Sequence, residues 1–290
     1  MIPQEITESL ADFFFHFQHD SVDILKVYPL SGGCINSVQR LQTSKGDFCI
    51  KYNFRERFPG MFDSEADGLA SLRSSGEIRV PEVYNTGSAG TYDYILLEYV
   101  DSGLKIPAFM QDFGRSLARM HRHSSSEFGY ATDNYMGSLH QSNKTHPDWT
   151  SFYIEERLVK QISLAHGNFT SSNYDSFERL YARLADLIPE EPPALLHGDL
   201  WGGNYMVADN GKACLIDPAV YYGHREVDIA MTTLFGGFDE TFYASYNEEY
   251  PLVKGWQERL DIFKLYPLLI HLNLFGSGYL GSILDIIRKY

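Results

Sequence analysis

His197-Gly198-Asp199-Leu200-Trp201-Gly202-Gly203-Asn204, followed by Ile216-Asp217-Pro218, is the stretch on which the reading of this 290-residue chain turns. Asp199 follows a short apolar run, Leu195-Leu196-His197, and sits in a glycine-rich loop that carries a tryptophan. Asn204 leads into the apolar segment Tyr205–Val207, Asp209-Asn210-Gly211 is a turn former, and Asp217 comes at the end of a second apolar run, Ala213–Ile216. A tight hairpin therefore returns Asn204 and Asp217 to the same end. Magnesium prefers hard oxygen ligands, and Asp217 offers a charged oxygen where Asn204 offers a neutral one. A carboxylate in a loop beside them, Asp199, suits the acceptance of a proton from an attacking hydroxyl. The set matches the division of labour in phosphoryl transfer, with ATP and Mg²⁺ as the expected cofactors. His197 is read as an anchor of the loop, outside the chemistry.

Outward from this centre, the first third of the chain is strand-rich. Residues 5–18 show helical spacing through Leu10, Phe13, Phe14 and Phe17, and 22–30 alternate as a strand. Ser37–Leu41 and Phe48–Tyr52 form a strand pair around Ser44-Lys45-Gly46-Asp47, Met61–Ser74 is a helix, and Tyr92–Val100 is rich in strand formers. After the polar break Asp101-Ser102-Gly103 the remaining segments are mostly helical: 109–123, 149–166, 174–187, 227–235, 242–249 and a long apolar stretch from Trp256. Strands are expected only around 195–197, 205–207 and 213–216. The expectation is a two-lobed α+β protein, residues 1–100 and 101–290, hinged near 99–106.

The first lobe supplies candidates for holding a nucleotide. Lys51 lies on the predicted third strand and is placed to reach phosphates. A helix carboxylate, Glu65 with Asp63 as rival, would fix it. Ser31-Gly32-Gly33-Cys34-Ile35-Asn36 separates the first two strands, where backbone N–H groups can approach phosphates. The backbone of Glu98, Tyr99 and Val100, at the end of the last strand, is the candidate partner of adenine.

Composition narrows the partners. The formal net charge is −14, which opposes bulk binding to nucleic acid or anionic lipid and suits a neutral or cationic substrate. No segment approaches the ~18 uninterrupted apolar residues of a membrane-spanning helix. Three cysteines, Cys34, Cys49 and Cys214, match no zinc motif. With no secretory signal at the N-terminus, a cytoplasmic location is expected.

The chain resembles the fructosamine-3-kinase (ketosamine-3-kinase) family of the protein-kinase-like superfamily, which includes aminoglycoside phosphotransferases and choline kinases. The resemblance rests on Gly32-Gly33-Cys34-Ile35-Asn36, Lys51-Tyr52-Asn53, Glu65-Ala66, Leu117-Ala118-x-x-His121, Asp133-Asn134-x-x-Gly137 and Gln141-x-Asn143. It continues through Asp199-Leu200-Trp201-x-Gly203-Asn204, Asp217-Pro218-Ala219, Gly223-His224-Arg225-Glu226-x-Asp228 and Leu234-Phe235-Gly236-Gly237-Phe238 to Tyr266 and His271. Ser31 stands where the family often has glycine. The resemblance implies a protein-kinase-like fold and ATP-dependent phosphorylation of the 3-hydroxyl of a ketosamine, free or protein-bound, leading to deglycation. It implies Asp199 as base, Asn204 and Asp217 as Mg²⁺ ligands, and Lys51 with Glu65 as the nucleotide-positioning pair. For Asp228 two compatible readings stand: support of the catalytic loop's backbone, and an acid at a helix N-terminus. Trp201 is either a sugar platform or core filling. Asp148 is read as a helix cap. Cys34 is either a redox-sensitive thiol or a small turn residue, so the expected assembly is a monomer or a weak, redox-dependent dimer. A kinase of aminoglycoside- or choline-like amines, or a non-catalytic nucleotide-binding scaffold, are the alternatives.

Overall fold

A computed structural model describes residues 2–18, 21–30 and 35–290. Helix α1 (Gln4–Gln18) precedes a five-stranded antiparallel sheet of β1 (Ile24–Pro29), β2 (Ser37–Thr43), β3 (Gly46–Phe54), β4 (Val83–Ala89) and β5 (Tyr92–Glu98). Helix α2 (Met61–Ser75) connects β3 to β4, and the strand order is β1-β2-β3-β5-β4. Strand β4 is absent from the sequence-based expectation. Its burial is intermediate nearly throughout, so it lacks the apolar alternation that marks β3 and β5.

Alternation along β3 divides its side chains between two faces. Phe48 and Ile50, with Tyr94 and Leu96 of β5, face α1 and enclose Leu10 and Phe14. Cys49 and Lys51 pair in register with Leu97 and Ile95 and belong to the other face. There Ile95 and Leu97 join Phe62, Leu69 and Leu72 of α2 in the main core. The same period that builds the small core thus delivers Lys51 to the cleft side of the sheet.

The second lobe is built from α3 (Phe109–Met120), the hairpin β6 (Asn134–Met136) and β7 (Leu139–Gln141), and then α4 (Trp149–Phe152), a π-helical segment (Tyr153–Val159) and α5 (Lys160–Leu164). Next come α6 (Ser171–Tyr181), α7 (Leu184–Leu187), β8 (Ala194–Leu196), β9 (Tyr205–Val207), β10 (Ala213–Leu215) and β11 (Tyr221–Gly223). It closes with α8 (Glu226–Thr232), α9 (Glu240–Glu249), α10 (Trp256–Phe275) and α11 (Leu280–Ile287). Strand β9 pairs with β10, and β8 pairs with β11. The helix expected over 149–166 is interrupted by the π segment, which brings fully buried Arg157 beneath the rings of Phe152 and Tyr221. Asp148 caps α4 by accepting the Ser151 N–H at 2.8 Å. No helix among the described residues is long and apolar enough to cross a membrane.

Candidate active site

The loop after β8 is held from below. Asp228, fully buried on α8, accepts the backbone N–H of His197 at 2.8 Å and that of Gly198 at 2.9 Å, one with each carboxylate oxygen. His121 of α3 reaches the same carboxylate through Nε2 at 3.2 Å and Tyr246 of α9 through Nδ1 at 2.7 Å. Both readings of Asp228 hold, since it lies in the first turn of α8 and also supports the loop. Gly198 has φ +84°, and a Cβ there would collide with the carbonyl of Ala219, so only glycine fits. His197 is a structural spacer: Nε2 donates to the Ile216 carbonyl at 3.0 Å, and Nδ1 accepts the Asp199 N–H at 3.3 Å. Burial holds its pKa below the ordinary histidine range.

Hairpin β9–β10 performs as its turn chemistry suggests. Leu215 pairs with Tyr205, and the Ile216 N–H donates to the Asn204 carbonyl at 3.0 Å. Asn204 Nδ2 donates to the carbonyl and to Oδ2 of Asp199, each at 2.9 Å. Both amide protons are therefore spent on Asp199, and the side-chain oxygen is the atom left for a cation. Asp217 has φ +53° and is the only non-glycine residue with positive φ among the described residues. A non-glycine side chain in that region signals strain of the kind found at functional sites. The sequence carries no mark of it beyond the tolerance of Asp for this conformation.

Lys51 Nζ bonds Glu65 Oε1 at 2.6 Å and also contacts Asp217 Oδ1. Burial works to lower the Lys51 pKa, but Asp217 and Glu65 together hold it well above the ordinary lysine value. Burial likewise raises Glu65, with Lys51 opposing. Asp63, the rival partner, is exposed and takes no part in this cluster. Burial is the main cause that lifts Asp199 to about 8. The nearby Asp217 charge adds to the rise, and the Asn204 hydrogen bond opposes it.

Two cavities share Val38, Lys51, Glu65 and Asp217. One is bordered by Cys49, Leu97, Glu98, Tyr99, Val100 and Met206. The Glu98 N–H is already spent on the Glu82 carbonyl at 2.8 Å, and its carboxylate is tied to Arg79 at 2.6 Å. Among the N–H groups of the three expected adenine partners, those of Tyr99 and Val100 remain the candidates. The other cavity is lined by Asn36, Asp199, Trp201 and Asn204, by the β6–β7 hairpin, and by Ile270, His271, Leu274 and Phe275 of α10. Ile35 also lines this second cavity, and the Asn36 side-chain oxygen accepts from Asn53 at 2.8 Å. Gly32, Gly33 and Cys34 lie outside the described residues.

Trp201 is 37% exposed and lies at the cavity with its ring over Gly203, where a Cβ would collide with it. The core-filling reading of Trp201 is thereby corrected. Gly202 approaches the backbone of Gly236 and Gly237 closely, which accounts for glycine on both segments. Asn134, Gln141 and Tyr266, which the sequence marks without a role, form a layer beneath the cavity. Gln141 Nε2 donates to Asn134 Oδ1 at 2.7 Å and Tyr266 Oη donates to Gln141 Oε1 at 2.8 Å. Asn134 Nδ2 donates to the Val220 carbonyl at 2.8 Å. The buried amides tie the β6–β7 hairpin, the segment after Asp217 and α10 into one unit.

A family model described as fructosamine kinase matches residues 6–290. The chain belongs to the fructosamine kinase family. Relatives include a protein named as a ketoamine kinase in Enterococcus faecium, 39% identical across 91% of this chain and 95% of that one. The chloroplastic protein-ribulosamine 3-kinase of Arabidopsis thaliana is 39% identical across 93% of this chain and 84% of its own length. Among solved structures, one bearing the name fructosamine-3-kinase from Haemophilus somnus superposes with a TM-score of 0.89 at 28% identity, covering 99% of this chain and 98% of that chain. An aminoglycoside phosphotransferase shares the fold at a TM-score of 0.62 and 17% identity, with 98% of this chain and 99% of that chain covered. As a member of the fructosamine kinase family, the chain is an ATP-dependent phosphotransferase with an alcohol acceptor and a two-lobed, protein-kinase-like fold.

Proposed function

We propose that this enzyme phosphorylates the 3-hydroxyl of ketosamines, the adducts formed when a sugar glycates an amine. The observation that carries the proposal is the union of Asp199, Asn204, Asp217 and Lys51 at the meeting of two cavities, in a chain of the fructosamine kinase family. The cavity bordered by Tyr99 and Val100 is assigned to the nucleotide, and the one bordered by Trp201 and α10 to the sugar. Residues 1–100 are taken as the nucleotide-binding lobe and 101–290 as the catalytic and substrate-binding lobe.

Asp199 accepts the proton of the attacking hydroxyl. Its environment fits a base: the raised pKa makes the carboxylate a better proton acceptor than an ordinary aspartate, and Asn204 orients it by one bond to Oδ2 and one to the Asp199 backbone carbonyl. The donor set fits Mg²⁺, since Asn204 offers a neutral oxygen and Asp217 a carboxylate, both hard ligands. Mg²⁺ held there would offset the negative charge of the phosphates being transferred. Lys51, oriented by Glu65, engages the phosphates as a point charge. Trp201 offers its face to the apolar side of the sugar. Asp228 holds the loop so that Asp199 keeps its place. Phosphate at C3 then leaves more readily than hydroxide from the enaminol form of the ketosamine, and hydrolysis of the resulting imine frees the amine, which is deglycation. Cysteines Cys49 and Cys214 are free thiols, in keeping with a reducing cytoplasm.

The test is an ATP-consumption screen with Mg²⁺ against fructosamines, ribulosamines, erythrulosamines, aminoglycosides and choline. Turnover with one or more ketosamines and none with the other amines is expected. Turnover confined to aminoglycosides or choline would overturn the assignment, and no turnover with any acceptor would favour a scaffold.

A further inference from the structure

In a ketosamine the amine is separated from the 3-hydroxyl by only two carbons of the sugar chain besides C3 itself. An acceptor whose 3-hydroxyl meets Asp199 must therefore place its amine, and whatever the amine carries, against the walls of the same cavity. The formally charged residues that line this cavity, among those described, are Lys51, Glu65, Asp199 and Asp217, all belonging to the phosphotransfer cluster. Helix α10 supplies a wall of different character: Ile270, His271, Leu274 and Phe275.

His271 is the centre of an aromatic group to which the wall contributes Phe275 and the neighbouring segments contribute Phe235 and Tyr279. Its ring centroid lies 4.8 Å from Phe235, 5.4 Å from Phe275 and 5.0 Å from Tyr279. Phe235 in turn meets Trp201 edge-on at 5.9 Å, so the group is continuous with the sugar platform. Phe235 is 40% exposed and Phe275 is 61% exposed, although both have a large apolar ring. The His271 tautomer is fixed by Nδ1, which donates to the Pro267 carbonyl at 2.7 Å. A carbonyl only accepts, so Nδ1 carries the proton and Nε2 presents a lone pair. Burial also lowers the His271 pKa, which keeps the ring neutral and able to accept from a cation. Aromatic faces around such an acceptor attract ammonium groups.

We propose that His271 accepts a hydrogen bond from the protonated amine of the ketosamine, and that Phe275, Phe235 and Tyr279 form the wall that reads the amine's substituent. The inference rests on the ketosamine reading of the acceptor cavity and adds which part of the protein selects among ketosamines. The sugar is recognised beside Trp201, and the amine end along α10.

Steady-state kinetics at saturating Mg·ATP, on the full chain, test it with three acceptors: 1-deoxy-1-propylaminofructose, its neutral 1-O-propyl ether, and 1-amino-1-deoxyfructose without the propyl group. His271→Phe keeps the ring and removes the acceptor. It should raise KM for both amines about tenfold, the worth of a hydrogen bond to a charged group, and change KM for the ether less than about twofold, with kcat held. Phe275→Ala, at an exposed ring, should raise KM for the two propyl compounds about two- to fivefold and leave the unsubstituted amine unchanged. An amine-to-ether KM ratio in His271→Phe equal to that of wild type overturns the amine contact. Equal KM values for Phe275→Ala and wild type with both propyl compounds overturn the wall. The ketosamine reading itself fails on a different result, wild type turning over none of the amines.

Discussion

At Asp199 the proposed chemistry and the needs of folding conflict. Burial and the neighbouring Asp217 charge raise its pKa to about 8. In the unfolded chain the same carboxyl ionises near its ordinary value of 3.8. The folded state thus binds the proton more tightly, so the group's contribution to stability is full below pH 3.8 and lost as pH rises through about 8. Asp199→Asn should therefore melt higher than wild type at pH 8, with the difference closing at pH 4, when both are measured without Mg²⁺ or nucleotide. Equal melting temperatures at pH 8 would show that Asp199 is not strained. Lys51 poses a simpler case, since its two carboxylate partners are both near the site. Lys51→Met should weaken ATP binding tenfold or more, the effect of losing a charge-assisted contact. Calorimetric titration with ATP analogue reads this directly, and unchanged affinity would remove Lys51 from the nucleotide contacts.

At the scale of elements, the parts that act through local pattern were legible in the sequence. Hairpin β9–β10 follows from Asp209-Asn210-Gly211 between apolar runs, and it sets Asn204 beside Asp217 as the turn requires. Alternation in β3 was enough to send Lys51 to the cleft, and the Asp228 bonds to the loop follow the family pattern. What stayed hidden depends on the partner a segment pairs with or packs against, and not on the segment's own pattern. Strand β4 is recruited by β5 and has little apolar signature of its own. Strand β11 exists because it pairs with β8. The left-handed backbone of Asp217, the aromatic group around His271 and the buried amides of Asn134 and Gln141 have no local periodicity to announce them. Those amides carry an element-scale prediction. Gln141→Leu would leave Tyr266 Oη and Asn134 Oδ1 buried without partners and should cost about 2–4 kcal/mol in urea unfolding. A loss below ~0.5 kcal/mol would show that the hairpin is held by other contacts.

Across the whole molecule, acid stability has a second and opposite contribution from the core of the large lobe. His224 is fully buried, stacked on Phe263 at 5.0 Å. Burial lowers its pKa from 6.5 to about 4, with the Glu191 charge opposing. A depressed folded pKa means that the unfolded chain takes up the proton first, so stability is full above pH 6.5 and lost as pH falls toward 4. The stability difference between wild type and His224→Phe isolates this group from the Asp199 trend. It should shift against wild type by on the order of 3 kcal/mol between pH 6.5 and 4. A difference independent of pH would show that His224 does not titrate in this window.

The two lobes together present a candidate base, two candidate metal ligands and a lysine at one junction, where phosphate is proposed to move onto O3 of a ketosamine. Phosphorus and carbon NMR of the product made from ATP, Mg²⁺ and 1-deoxy-1-propylaminofructose locates the transferred phosphate. Wild type should place phosphate on O3, and Asp199→Asn, while still binding ATP, should make at least about a thousandfold less of it. Phosphate on any other hydroxyl, or an Asp199→Asn enzyme as fast as wild type, would refute ketosamine 3-phosphorylation with Asp199 as base.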